Sequence, residues 1–202
     1  MRIGIFGGTF NPPHLGHMIL AMEALEKADL DTVVFMPCAT PPHKPDMTIP
    51  DGEHRYNMVK LAIEGIRGFE VSDMEVNAGG KSYTARTLQR LEEICKGAQL
   101  CFIVGADSLC DMEKWFCPAE IFKRAEIIVA HRGGMKESEL NVAIDFFRQK
   151  YNARITKIPM KAIEMSSTEI RSRIKSEKCV KYMVPDKVID YINETGIYKG
   201  NS

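Results

Sequence analysis

The chain has 202 residues, 45% of them hydrophobic and 27% charged, with Lys+Arg and Asp+Glu equal at 27 each. A chain of that length buries a sizeable core without disulfides or metals, and one domain spanning 1–202 is expected. The zero net charge argues against a protein held along a nucleic-acid backbone, which needs a basic excess, while a local anion site stays open.

No apolar run approaches the roughly 18 residues of a spanning helix. The opening Met1-Arg2-Ile3-Gly4-Ile5 reads as a strand rather than an export signal. A cytoplasmic protein with no membrane partner is expected. Cys38, Cys95, Cys101, Cys110, Cys117 and Cys179 form no C-x-x-C pair, so they read as reduced thiols packed like small apolar residues. Cys110 and Cys117 with a distant His would make a zinc site of poor spacing, and no protein-held metal is expected.

Arg2 to Phe6 reads as a buried strand. Leu15 to Lys27 carries Leu15, Ile19, Met22 and Leu25 at helical period. Thr32 to Met36 is a second strand, and a Pro-rich loop runs from Cys38 to Gly52. A helix over Glu53 to Ile66 and a strand over Phe69 to Asp73 follow. Tyr83 to Cys95 is a helix with Ser82 as its N-cap. Strands at Leu100 to Val104, Glu126 to Ala130 and Arg154 to Ile158 alternate with a helix over Leu140 to Tyr151. Helices at Ser167 to Lys175 and Asp186 to Glu194 complete the chain. Such alternation predicts an α/β fold: a Rossmann-like, doubly wound parallel sheet, helices on both faces, and a small C-terminal helical portion. Ligands in these folds sit at the carboxyl ends of the strands, where the glycine-bearing turns fall.

Gly4 to His17 reads G-I-F-G-G-T-F-N-P-P-H-L-G-H. It is neither a dinucleotide fingerprint nor a P-loop. Gly7 and Gly8 allow a turn and close approach of a ligand. Pro12 and Pro13 set the lead-in to a helix, and His14 and His17 share the face of its first turn. Gly16 leaves that turn bare for a flat group. Two imidazoles at a helix N-terminus add donors to its backbone amides and make an anion site. Late in the chain, Met165-Ser166-Ser167-Thr168-Glu169-Ile170-Arg171 places a capping box, further hydroxyls and a guanidinium together. That set forms a second phosphate cradle.

These two motifs resemble the nucleotidyltransferase superfamily marked by H-x-G-H early and S/T-x-x-R late. Pro41-Pro42-His43-Lys44, Ser82-Tyr83-Thr84, Gly105-Ala106-Asp107-Ser108, Trp115 and Val184-Pro185-Asp186 near Gly196-Ile197-Tyr198 extend the resemblance over essentially the whole chain, toward bacterial nicotinate-mononucleotide adenylyltransferases. The resemblance implies transfer of AMP from ATP to nicotinate mononucleotide, giving the deamido dinucleotide and pyrophosphate. It implies His14, His17 and Arg171 as the catalytic residues. Gly7, Gly8, Thr9, Phe10, Gly16, Gly105, Asp107, Ser167 and Thr168 would complete the ATP site, with Asp107 on ribose and Thr9 and Phe10 at the join between substrates. Thr9, Lys44, Ser82, Tyr83, Thr84, Trp115 and Arg132 would hold the mononucleotide, with Trp115 stacked on the ring. Mg2+ would ride on the ATP phosphates. Whether the chain forms a homo-oligomer is left open by the sequence.

Asn11 departs from the Asp of many relatives, His131-Arg132-Gly133-Gly134 from Arg-Pro-Gly, and Phe116 from a more polar residue. Three rivals share part of this pattern. They are a phosphopantetheine adenylyltransferase, the same chemistry on nicotinamide mononucleotide, and a module that senses ATP without turnover.

Overall fold

The computed structural model describes residues 1–40, 49–131, 135–160 and 163–199. Six parallel strands form one sheet: β1 (Arg2–Gly8), β2 (Thr32–Pro37), β3 (Phe69–Val71), β4 (Gln99–Gly105), β5 (Ala125–His131) and β6 (Ile155–Pro159). Their spatial order is β3-β2-β1-β4-β5-β6. Strand β1 is therefore paired on both edges, with Gly4 opposite Val33 of β2 and Cys101 of β4. The order reverses between β1 and β4, which opens a crevice beyond their carboxyl ends.

After their first residues β1, β2 and β4 read as apolar runs because both faces are covered, while the edge strands β3 and β6 carry Glu70, Thr156 and Lys157. Along β4, Cys101 and Ile103 point into one core with Phe6, Phe35, Ala21, Ala24 and Ile170. Leu100, Phe102 and Val104 point into the other, with Leu88, Leu109, Ile121 and Phe147. The period of two thus splits a single hydrophobic run between two cores.

Helices α1 (Leu15–Lys27), α2 (Gly52–Ala62), α8 (Ser167–Lys175) and α9 (Asp186–Thr195) contribute to the first core. Helices α4 (Thr84–Ile94), α5 (Ala106–Asp111), α6 (Pro118–Arg124) and α7 (Glu137–Tyr151) contribute to the second. A short α3 (Met74–Ala78) lies between β3 and α4.

Several local expectations are corrected. The buried face of α1 is Gly16, Met18, Leu20, Ala21 and Ala24, while Ile19 is exposed. Small residues let this helix lie close on the sheet, so its buried stripe is not its most apolar one. Ser82 is not the cap of α4; Tyr83 holds that position, and the Ser82 hydroxyl accepts the Ala39 N–H at 2.9 Å. Only Cys38 and Cys101 are buried, and Cys110, Cys117 and Cys179 are exposed. Gly7 and Gly8 continue β1 rather than turning, and the turn begins at Thr9. Both prolines precede the first helical residue, since α1 starts at Leu15 with His14 as its N-cap. Among the described residues no helix is long and apolar enough to cross a membrane.

Candidate active site

Two adjoining compartments occupy the crevice. One is a cavity of about 340 Å³ between the β1–α1 turn, the end of β4 and the start of α8. The other, of about 490 Å³, lies between the end of β1, α3, α4 and the segment around Trp115. Gly7, Thr9, His17, Phe102, Ser108 and Trp115 line both, so these residues mark the junction.

The first compartment is built on the two histidines. His14 caps α1, and its backbone N–H donates to His17 Nδ1 at 3.1 Å. The rings stack with centroids 3.6 Å apart. A Cβ on Gly16 would meet His14 Nδ1 at 3.0 Å and Cε1 at 3.1 Å. The flat group that lies against bare Gly16 is therefore the imidazole of His14 itself. With Nδ1 accepting, the neutral His17 ring is assigned its proton on Nε2, as a donor. Phe10 backs this ring at 5.1 Å and packs on Phe6 and Phe35. It is 2% exposed, so it shapes the compartment from the core side.

Helix α8 closes the same compartment. The Ser166 hydroxyl caps it, accepting the Glu169 N–H at 3.1 Å. Ser167 Oγ donates to the Pro12 carbonyl at 2.9 Å, and Arg171 Nη1 to the Asn11 carbonyl at 2.8 Å. The late motif is thereby pinned to the early one across more than 150 residues of sequence. Tyr198 adds a third tie: its hydroxyl donates to Asn11 Oδ1 at 2.5 Å, and burial pushes the phenol pKa well up. The described lining holds two imidazoles, a guanidinium, several hydroxyls and no carboxylate, which suits a polyanion.

The second compartment is more apolar. Phe102 supports Trp115 edge-on at 6.1 Å. Tyr83 and Phe116 pack at 4.8 Å, and the Arg86 guanidinium sits over both rings. Ser82, Tyr83 and Thr84 lead into α4 and line the wall with Thr87 and Glu75. Thr87 Oγ1 lies 2.5 Å from Glu75 Oε1, and burial raises the Glu75 pKa against the lowering effect of Thr87 and Ser82. Below the junction Arg55 is 1% exposed. Its guanidinium donates to the carbonyls of Pro50 at 3.0 Å, Thr9 at 3.0 Å and Ala39 at 2.7 Å.

The cytidylyltransferase-like family model matches residues 5–173. A protein of Clostridium botulinum (strain Eklund 17B / Type B), named "Probable nicotinate-nucleotide adenylyltransferase", is 41% identical over 198 residues, 98% of each chain. A Clostridium beijerinckii protein of the same name is 41% identical over 202 residues, covering 98% of this chain and 99% of that one. The chain belongs to the nicotinate-nucleotide adenylyltransferase family. Its fold is also that of the Plasmodium falciparum nicotinic acid mononucleotide adenylyltransferase complexed with NaAD, with a TM-score of 0.81 at 20% identity, covering 99% of this chain and 98% of that one.

For this family member the expected residues divide clearly. Gly7, Gly8, Thr9, His17, Ser82, Tyr83, Thr84 and Trp115 come together around the second compartment. Gly7, Thr9, Phe10, His14, Gly16, His17, Gly105, Ser167, Thr168 and Arg171 come together around the first. Asp107 lines neither: it is exposed in the first turn of α5, and its neighbour Ser108 faces the crevice instead. Lys44 and Arg132 lie outside the described residues. Glu75, Arg55 and Tyr198 were not singled out as site residues from the sequence. Arg55 carries no local signal, being one arginine in an ordinary helical run. Among the described residues no group of three or more His, Cys, Asp or Glu gathers as a metal cage would require.

Proposed function

We propose that this chain, as one nucleotidyltransferase domain, transfers the adenylyl group of ATP to nicotinate mononucleotide. The products are nicotinate adenine dinucleotide and pyrophosphate, a step of NAD biosynthesis. The observation that carries the reading is the junction: a carboxylate-free, cationic compartment meets an aromatic one at Thr9, His17 and Trp115. ATP phosphates suit the first, and a pyridine ring with its own 5′-phosphate suits the second.

The chemistry asks little of a base. An oxygen of the mononucleotide 5′-phosphate, already ionised, attacks the α-phosphorus in line. The new P–O bond forms as the bond to the bridging oxygen of the β-phosphate breaks, and pyrophosphate leaves. The chain's task is to hold two anions together and to meet charge on the α-phosphate. His17 Nε2–H is the donor for that charge, oriented by the bond at Nδ1. His14, Ser167, Thr168 and Arg171 hold the outer phosphates. Mg2+ would be held by the phosphates of ATP and would offset their charge, since the imidazoles and hydroxyls of this lining offer it no carboxylate.

Trp115 offers its face to the pyridine ring, and the amides leading into α4 receive the ring's carboxylate. Pyrophosphate release from MgATP tests the reading, with nicotinate and nicotinamide mononucleotides in parallel. Strong preference for the acid supports it. Equal use of both removes the carboxylate pocket, and no release with either overturns the activity.

A further inference from the structure

Glu75 sits where a carboxylate is least expected. It is the acidic residue among the described lining of the second compartment, beside the Ser82–Thr84 amides that would receive the ring carboxylate. We propose that Glu75 is a specificity-determining residue that holds a proton while nicotinate mononucleotide is bound, so that the acid substrate is taken up together with one proton from solvent. This rests on the reading that the second compartment takes the pyridine mononucleotide.

The hydrogen bonds around Glu75 accommodate both of its charge states. Thr87 Oγ1 lies 2.5 Å from Glu75 Oε1 and 3.3 Å from the Tyr83 carbonyl. The hydroxyl carries one proton and faces two acceptors. With Glu75 protonated both contacts are hydrogen bonds: the carboxyl donates to Thr87, and Thr87 donates to Tyr83. With Glu75 ionised the hydroxyl turns to the carboxylate. The Tyr83 carbonyl then keeps the N–H groups of Arg86 at 2.9 Å and Thr87 at 3.1 Å. The two states differ by one hydroxyl rotation, and neither leaves a polar group stranded.

The charged surroundings decide which state a bound carboxylate favours. From α2, the Arg55 guanidinium is committed to three carbonyls. From the end of β2, the Cys38 thiol is held neutral by burial. From α4, the Arg86 guanidinium lies over the Tyr83 and Phe116 rings. From α1, His17 lines the far side of the cavity. The hydrogen-bond partners of Glu75 are the hydroxyls of Thr87 and Ser82 rather than any of these cations. A second carboxylate entering this wall therefore meets like charge unless Glu75 takes a proton, as two carboxyl groups sharing one site do. Burial already favours that protonated form.

The sign follows from linkage. A bound carboxylate raises the Glu75 pKa above its value in the free enzyme. Binding of the acid is strongest below the free-enzyme pKa and weakens as pH rises through the window between the two values. The limiting slope is about tenfold per pH unit for one proton. The uncharged amide gives no such coupling.

The test is calorimetry of each mononucleotide in two buffers of different ionisation enthalpy, with KM measured against pH. The two ligands share ribose and phosphate, so their difference isolates the ring substituent. Uptake approaching one proton more for the acid than for the amide, abolished in Glu75→Gln together with the difference in KM slope, is expected. Equal proton uptake for the two ligands in the unmodified enzyme overturns the proposal, whatever the variant does. Excess uptake that persists in a folded Glu75→Gln also overturns it. Nicotinate mononucleotide turnover without proton coupling sinks this proposal alone, whereas absence of its binding and turnover sinks the functional reading as well.

Discussion

His17 Nδ1 accepts the backbone N–H of His14 at 3.1 Å while the two rings stack at 3.6 Å. The helix cap and the phosphate donor proposed above are thus one object. A capping residue three positions into a helix normally returns a carboxylate or amide to the N-cap N–H. Here an imidazole does so, which fixes its tautomer and aims its other nitrogen by the same bond.

Gly16 is the residue that permits this stack. A methyl there would come within 3.0 Å of His14 Nδ1, closer than the ring tolerates without moving. Helix propensity runs the other way, because Ala is favoured over Gly by up to about 1 kcal/mol in a helix. Gly16→Ala should therefore lower kcat by roughly 10- to 100-fold, as expected of a misplacement near 1 Å. Thermal stability should change little. Steady-state kinetics beside a melting curve checks both, and an unchanged kcat would show that the stack does not position the donor.

Removing the donor itself should cost more. His17→Ala should reduce kcat by roughly 10²–10³, the scale seen when one donor to a developing charge is lost. Single-turnover measurement at saturating ATP and mononucleotide isolates the chemical step. A rate within a few-fold of the unmodified enzyme would remove His17 from the α-phosphate.

The sheet and the two motifs that meet in the first compartment were legible because their signals are local. Buried parallel strands announce themselves as apolar runs, and H-x-G-H and S-S-T-x-x-R are contiguous. Side-chain destinations were not legible. Ser82 looks like a cap but bonds across to Ala39, 43 positions away. Asp107 looks like a site carboxylate at a strand end, yet in the first turn of α5 it is exposed and absent from the lining of both cavities, which its neighbour Ser108 joins. Glu75 and Arg55 matter through partners set by the tertiary fold, and no spacing rule encodes those.

Arg55 ties three separate segments together by their carbonyls, at Thr9, Ala39 and Pro50. Arg55→Met keeps much of the stem volume and leaves those acceptors without their donor. Each orphaned buried acceptor costs about 1–3 kcal/mol, and relief from burying a charge offsets part of the sum. A net loss of about 2–4 kcal/mol is expected, which lowers Tm on the order of 10 °C in a chain of this size. Chemical denaturation gives the value directly. A variant as stable as its parent would mean that solvent reaches these carbonyls.

Trp115 lines both compartments, with its ring edge-on to Phe102, which lines both as well. Truncation to Ala removes the stacking face and opens the junction to water. Stacking of a flat ring on Trp is worth about 0.5–1.5 kcal/mol beyond the area it buries. KM for the mononucleotide should rise about tenfold or more in Trp115→Ala, while KM for ATP should change less than about threefold. Initial-rate kinetics with each substrate varied in turn separates the two. An equal rise in both constants would show that Trp115 braces the Gly105–Ser108 turn rather than holding the pyridine ring, and the ring would then have to be sought against Tyr83 and Phe116.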